Sequence, residues 1–211
     1  LGDSVCIRLK AISVYPEEKQ LWISDFKVEK SEILNLYNIV TKEIADRISV
    51  VLTPKEEERL SEARSVDKEA YDLYMKGRFY LEQFFSNEAL DRSEFFFLRS
   101  IEKDPTWSAP YAGLAEVGLW QNQMGFVPQS TVKLKIIEYV EKALELDPFS
   151  STAFLVNSMV ASALEWNWEK SEREFKKAFE LNPNYAMAHG LYAHFLMGQR
   201  RTEEASCHAK K

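Results

Sequence analysis

The sequence is short of the residues that interrupt helices. Seven glycines and seven prolines among 211 residues are too few to turn a many-stranded β fold, and plentiful Leu, Glu, Lys and Ala favour long helices. Cysteine is scarce as well. Cys6 and Cys207 stand near opposite ends, outside any CxxC, which excludes a disulfide framework and leaves two reduced thiols in a reducing compartment as the expectation. No apolar run approaches the roughly 20 residues that span a bilayer. No basic segment followed by an apolar stretch opens the chain, so no signal peptide is read and a soluble molecule without membrane insertion is expected. Positive charge never gathers. The formal net charge is -6, and Gln199-Arg200-Arg201 with Lys210-Lys211 is the nearest thing to a basic block. Nucleic-acid binding runs on clustered cations that release counterions from phosphates, so nucleic acid is not expected as a partner.

The residues of catalysis are also thin. Of three histidines, His189 and His194 lie five apart, which points them to different helical faces and makes a poor metal pair. HExxH, a phosphate-cradling loop, GxGxxG and GxSxG are all missing. Acidic residues are abundant but fall on helix surfaces and helix starts, where solvation and the helix dipole account for them. No catalytic residue, metal ligand or cofactor is assigned, and the chain is read as no enzyme.

What is present is a core's worth of apolar side chains, 45% of the chain with 13% aromatic, arranged as a repeat. Ser100-Ile101-Glu102-Lys103-Asp104-Pro105, Ala143-Leu144-Glu145-Leu146-Asp147-Pro148 and Ala178-Phe179-Glu180-Leu181-Asn182-Pro183 align. Each ends in Asp-Pro or Asn-Pro, which stops a helix because proline disfavours helical geometry in the residue before it. Working backwards, Ser93, Phe97 and Ser100 precede Pro105. Ile136, Val140 and Ala143 precede Pro148, and Ser171, Phe175 and Ala178 precede Pro183. Steps of four and three keep each set on one helical face, where small residues admit a neighbouring helix and the bulky one fills the gap. A fourth copy begins at Ala205 and Ala209.

This pattern resembles the tetratricopeptide repeat, W-x2-L-G-x2-Y…A-x3-F…P. The first-helix half is matched in part by Leu73, Gly77 and Tyr80; by Tyr111, Leu114 and Ala115, with Gly118 in place of the tyrosine; by Phe154, with Asn157 and Ser158 where Leu and Gly are usual; and by His189, Tyr192 and Ala193. The resemblance implies a mainly α fold, a right-handed solenoid of helix-turn-helix units over residues 67–211, with three full repeats and a truncated fourth. Two insertions are expected as loops, about four residues near Glu82 to Arg92 and about nine centred on Gln121–Gln129. The second puts Phe126 and Val127 at a loop tip as a contact, or tucks them against their own repeat.

Residues 1–52 do not follow the repeat. Val5, Ile7, Leu9 and Ala11 alternate with polar neighbours, the period of a half-buried strand. With a turn at Tyr15–Gln20 and a second run from Leu21 to Val28, they predict a β-hairpin with Trp22 as core. Ser31 caps a helix carrying Ile33, Leu34, Tyr37, Val40, Ile44 and Ile48 on its apolar side. Thr53-Pro54-Lys55-Glu56 opens a linking helix, about Pro54 to Arg64 within residues 53–66. A hairpin with one helix rarely stands alone, so a fragment of a larger module is expected. Val5-Cys6-Ile7-Arg8-Leu9, Leu21-Trp22-Ile23-Ser24 and Ile44-Ala45-Asp46-Arg47-Ile48 resemble the end of a TolB-like amino-terminal module, which in bacterial proteins commonly precedes tetratricopeptide repeats. The junction from Ser65 to Arg78 and the stretch Glu165-Trp166-Asn167-Trp168-Glu169 are similar to those proteins too. Such proteins often carry a class III nucleotide cyclase or a winged-helix domain upstream.

In a two-helix solenoid the first helices line an extended groove. The resemblance places Tyr71, Tyr74 and Arg78, then Ala112 and Glu116, then Leu155 and Met159, then Gly190 and His194 along it. Arg78 is the one cation among them, so a clamp for a terminal carboxylate is not expected. A mixed groove of Tyr71, Tyr74, Leu155 and Met159 suits an apolar or helical segment. Trp120, Trp166 and Trp168 read as interhelical packing. The partner is a protein or peptide segment, including the output domain of the same protein. A homodimer through an unpaired strand edge or stacked array ends is a further expectation. The cytoplasm is the expected compartment, the periplasmic side of a membrane-anchored parent the alternative.

Overall fold

A computed structural model describes residues 4–13, 15, 17–29, 32–47 and 66–209. The cap Ser31, the residues beyond Arg47 in the first helix and the expected linking helix from Pro54 to Arg64 lie outside the described residues, as do the side chains of Ile33, Leu34 and Tyr37. Contacts divide the chain into two compact units, Leu1–Tyr71 and Asp72–Lys211.

The first unit holds strands β1 (Ser4–Ser13) and β2 (Lys19–Glu29) and helix α1 (Ile33–Arg47). The strands pair antiparallel with Val5 opposite Val28, Ile7 opposite Phe26, Leu9 opposite Ser24 and Ala11 opposite Trp22. Directly opposed residues share a face, so the alternation read from the sequence becomes one apolar face of the hairpin. Helix α1 packs against β2, where the Ser24 hydroxyl donates to Glu43 Oε1 at 3.1 Å. Arg47 pairs with Glu43 at 2.8 Å and lies 5.8 Å over the Trp22 ring. Trp22 is half-buried. Among the described side chains of α1, Leu36 and Ala45 are buried and Val40 and Ile44 half-buried.

Helix α2 (Lys68–Leu81) begins at the end of the first unit and runs into the second. There α3 (Asn87–Lys103), α4 (Ser108–Gln123), α5 (Gln129–Leu146), α6 (Ser151–Ala163), α7 (Trp168–Leu181), α8 (Ala186–Gly198) and α9 (Thr202–His208) follow. Ser86, Ser150 and Asn167 cap α3, α6 and α7 by accepting from backbone N–H groups three residues on, the geometry that makes these residue types good caps. The three expected stops are alike. Asp104, Asp147 and Asn182 share φ near −142° (−141, −142 and −143) and extended ψ. Each donates its N–H to the carbonyl four residues back, and each is followed by the proline that forbids another turn.

The repeat positions form the core. Ser93, Phe97, Ser100, Ile136, Val140, Ala143, Ser171, Phe175 and Ala178 are all buried. Buried hydroxyls need partners, and here the first helix of each pair supplies them: Ser93 Oγ donates to the Gly77 carbonyl at 2.9 Å and Ser171 Oγ to the Ser158 carbonyl at 2.9 Å. In the second pair the position is Ile136, and Gly118 leaves the room for it: a Cβ there would meet Ile136 Cγ1 at 2.8 Å. Phe97 lies between two glycines. A Cβ on Gly77 would come within 2.5 Å of its ring and one on Gly113 within 2.7 Å. The larger clusters sit between α4, α5 and α6, around Leu119, Ile136, Val156 and Val160, and between α6, α7 and α8, around Phe175, Tyr192 and Leu196.

The two expected insertions are part loop and part helix. Near Glu82 to Arg92, residues 82–86 connect α2 to α3 and the rest belongs to α3. Of the nine residues centred on Gln121–Gln129, α4 takes the first three and α5 the last, so the five between them, Phe126 and Val127 included, form the loop. Those are fastened, since the N–H groups of Phe126 and Val127 both donate to the Gln121 carbonyl at 2.9 and 3.1 Å. No described helix is long and apolar enough to cross a membrane.

Candidate functional site

The residues expected along the first helices divide by environment. Tyr71 closes the first unit. Tyr74 is half-buried, its ring 4.7 Å from Trp107 and 5.6 Å from Phe97, so it is built into the pair it belongs to. Ala112 is fully buried beside Ala143 and Ala153. Leu155 is buried in the Phe175 cluster. Arg78 and Glu116 find each other: Nη1 lies 2.7 Å from Oε2, with side chains only 23% and 10% exposed. Burial works against the Arg78 charge, but the Glu116 carboxylate, with Tyr74 and Tyr185 behind it, outweighs burial and raises the guanidinium above its ordinary range. Burial also pushes the Tyr185 hydroxyl up, against a hydrogen bond from Thr152. Arg78, Glu116, Thr152 and Tyr185 thus make a polar line across α2, α4, α6 and the start of α8. Its one cation is already neutralised.

Met159 and His194 come together at a different feature. They border a cavity of about 350 Å³ with Trp166, Trp168, Leu191 and Phe195, at the end of α4, α6 and α8 and the start of α7. Gly190 lies on the same helix as His194 and is exposed. The expectation that Trp120, Trp166 and Trp168 serve packing holds for Trp120, half-buried and stacked on Phe84 at 4.2 Å. Trp168 is 46% exposed and still lies against Phe195 of α8 at 6.1 Å. Trp166 departs from the expectation: it is 71% exposed and has a left-handed backbone with φ 57°. At the other expected contact, Phe126 is 40% exposed, whereas Val127 packs onto the α4–α6 core.

Two histidines meet that the sequence kept apart. His189, 4% exposed, places Nε2 2.8 Å from the Pro183 carbonyl and Nδ1 2.9 Å from Nδ1 of His208. Its ring stacks on Phe179 at 4.5 Å. His194 is exposed, so the two do fall on different faces of α8. Among the described residues no group of three or more His, Cys, Asp or Glu could hold a metal ion. Cys6 and Cys207 are free and exposed.

Among solved structures, a thermophilic TPR protein of Thermus thermophilus superposes with a TM-score of 0.57 at 16% identity, covering 84% of this chain and 87% of that one. That likeness, on a chain whose repeat residues form the core, decides the fold. The chain carries a TPR-like helical solenoid. No family model matches the sequence. "Putative adenylate cyclase 3" of Rhizobium meliloti (strain 1021) is 31% identical over 99 residues, 47% of this chain and 17% of that protein. The chain therefore spans less than a fifth of that relative, and the match to it is a match to one part.

Proposed function

We propose that the chain is a non-catalytic protein–protein interaction module, a regulatory scaffold within a larger bacterial signalling protein, working in the cytoplasm. The TPR-like array carries this reading, since stacked helix pairs present side chains from successive first helices to one extended ligand. With Arg78 neutralised by Glu116, an apolar or helical segment suits the array better than a terminal carboxylate. Tyr74, Ala112 and Leu155 act here through packing, and the exposed side chains of His194 and Phe126 are the ones offered to a protein or peptide partner.

The experiment compares the chain with His194→Glu and Phe126→Glu, both exposed positions, as baits in co-purification, with circular dichroism to verify folding. A protein retained by the parent chain and lost with either folded variant supports docking on the array. Equal retention by all three baits sinks it.

A second reading follows from the Rhizobium match: the chain is a regulatory region of a class III adenylate or guanylate cyclase whose catalytic domain lies elsewhere in the protein. The TolB-like likeness of the hairpin and α1 belongs to the same proposal. Under both readings the purified chain forms no cyclic nucleotide from ATP or GTP, and measured turnover would overturn both. A light-scattering mass of twice the chain's own would establish the homodimer expected from strand pairing or stacked array ends.

A further inference from the structure

The cavity beside Trp166 is lined without a single Asp, Glu, Lys or Arg. A charged ligand entering it would lose part of its water and gain no counterion. Its walls are mostly apolar, and four are tryptophan or phenylalanine rings: Trp166, Trp168, Phe175 and Phe195. The indoles stand edge to face at 5.9 Å, and Trp168 lies 6.1 Å from Phe195, spacings at which aromatic rings attract. At about 350 Å³ the space falls at the small end of the roughly 300–1,000 Å³ typical of small-molecule sites.

Trp166 makes this more than a gap in the packing. A tryptophan at φ 57° sits where Cβ crowds the following carbonyl and L-residues are disfavoured. The surrounding structure enforces it: the Asn167 N–H donates to the Ala161 carbonyl at 2.8 Å and the Glu165 N–H to the Val160 carbonyl at 3.1 Å. Lys170 ties down Glu165 at 2.9 Å, and Asn167 caps α7. Backbone strain kept in place by its neighbours gathers at ligand sites, and here it holds an indole that is 71% exposed at the rim of an apolar cavity. Three polar side chains complete the lining. The Ser162 hydroxyl donates to the Ser158 and Met159 carbonyls of its own helix, whereas the side chains of Gln123 and His194 have no hydrogen-bond partner among the described residues.

We propose that this cavity binds a small uncharged aromatic molecule of one or two rings, packed against Trp166 and Trp168 and hydrogen-bonded by His194 or Gln123. This goes beyond partner docking and stands on the cavity alone, so either idea can fail while the other holds.

The test is calorimetric titration of the whole chain with indole and 2-naphthol, and with the charged analogues tryptamine and indole-3-acetate. Uncharged probes should bind saturably with Kd below about 1 mM, and charged ones at least about tenfold more weakly. Trp166→Gly separates site from fold. Glycine adopts φ 57° without strain, so its melting temperature should stay level or rise while affinity for indole falls about tenfold or more. Trp168→Ala should weaken binding likewise. No saturable heat up to several times that concentration, equal binding of the charged analogues, or undiminished indole binding in both variants would each overturn the proposal.

Discussion

Phe97 is held between α2 and α4 because neither helix has a side chain where its ring passes. Alanine at Gly77 or Gly113 brings two effects of opposite sign. An alanine inside a helix gains about 1 kcal/mol over glycine, while a methyl forced against a packed ring costs about 1–3 kcal/mol. With Cβ positions 2.5 and 2.7 Å from ring carbons of a fully buried phenylalanine, the clash wins. Gly77→Ala and Gly113→Ala are each expected to destabilise the array in chemical denaturation, and Phe97→Leu in the same chain should restore part of the loss. Arg78 is a larger stake. Arg78→Ala strands the Glu116 carboxylate, whose side chain is 10% exposed, and a buried charge without its partner costs about 3–5 kcal/mol. The double variant Arg78→Met/Glu116→Leu removes the uncompensated charge and should recover most of that stability. If it does not, the pair's value lies in more than mutual neutralisation.

At the scale of elements, α9 is seven residues long, too short to hold itself together by helix formation alone. Its attachment is through side chains. Ala205 is buried in the Phe175 cluster, and Arg201 at its head reaches Glu172 on α7 at 2.9 Å. The hydrogen bond from Arg201 outweighs burial, with Lys176 assisting, and holds the Glu172 carboxyl down at about 2 against an ordinary 4.5. Because the folded value is depressed, this attachment is fully present above about pH 4.5 and is lost as pH falls towards 2. Melting temperature measured across that interval should drop less steeply in Arg201→Ala than in the parent, since the variant has already lost most of the linkage. The stops of α3, α5 and α7 and the buried faces at steps of four and three were legible because each needs only local residues, a proline and a helical period. The Trp166 turn and the Phe97 clasp were not, since one depends on a backbone dihedral and the other on two helices meeting. Nor was it legible that helix takes both ends of the Gln121–Gln129 stretch, because a polar run with a glycine and a proline has the composition of a loop throughout.

For the array as a whole, the dense contacts join elements adjacent or next but one in sequence, so a perturbation should travel to its neighbours and stop. The groove reading was harder to obtain from the sequence for a related reason. Spacing put Tyr74, Ala112, Leu155 and Met159 on corresponding flanks, but whether a flank faces solvent depends on how closely the next pair packs, and Ala112 and Leu155 are covered. Amide hydrogen exchange can measure both the coupling and its range. The cluster around Leu119, Ile136 and Val160 is enclosed by helices on either side, whereas α9 has dense contacts with α8 alone. Protection should therefore be greatest in α4–α6 and least in α9, because local opening costs least where few buried contacts are broken. Ser171→Ala is the informative variant. It removes the shorter of two hydroxyl donors to the Ser158 carbonyl, Ser162 Oγ being the other at 3.2 Å, a loss of about 0.5–1.5 kcal/mol, at the seam of α6 and α7. Nearest-neighbour coupling predicts faster exchange in α6, α7 and α8 with α3 unchanged. Acceleration reaching α3 would mean that the polar line from Arg78 to Tyr185 couples the first pair to the last, and that the array responds to a ligand as one body.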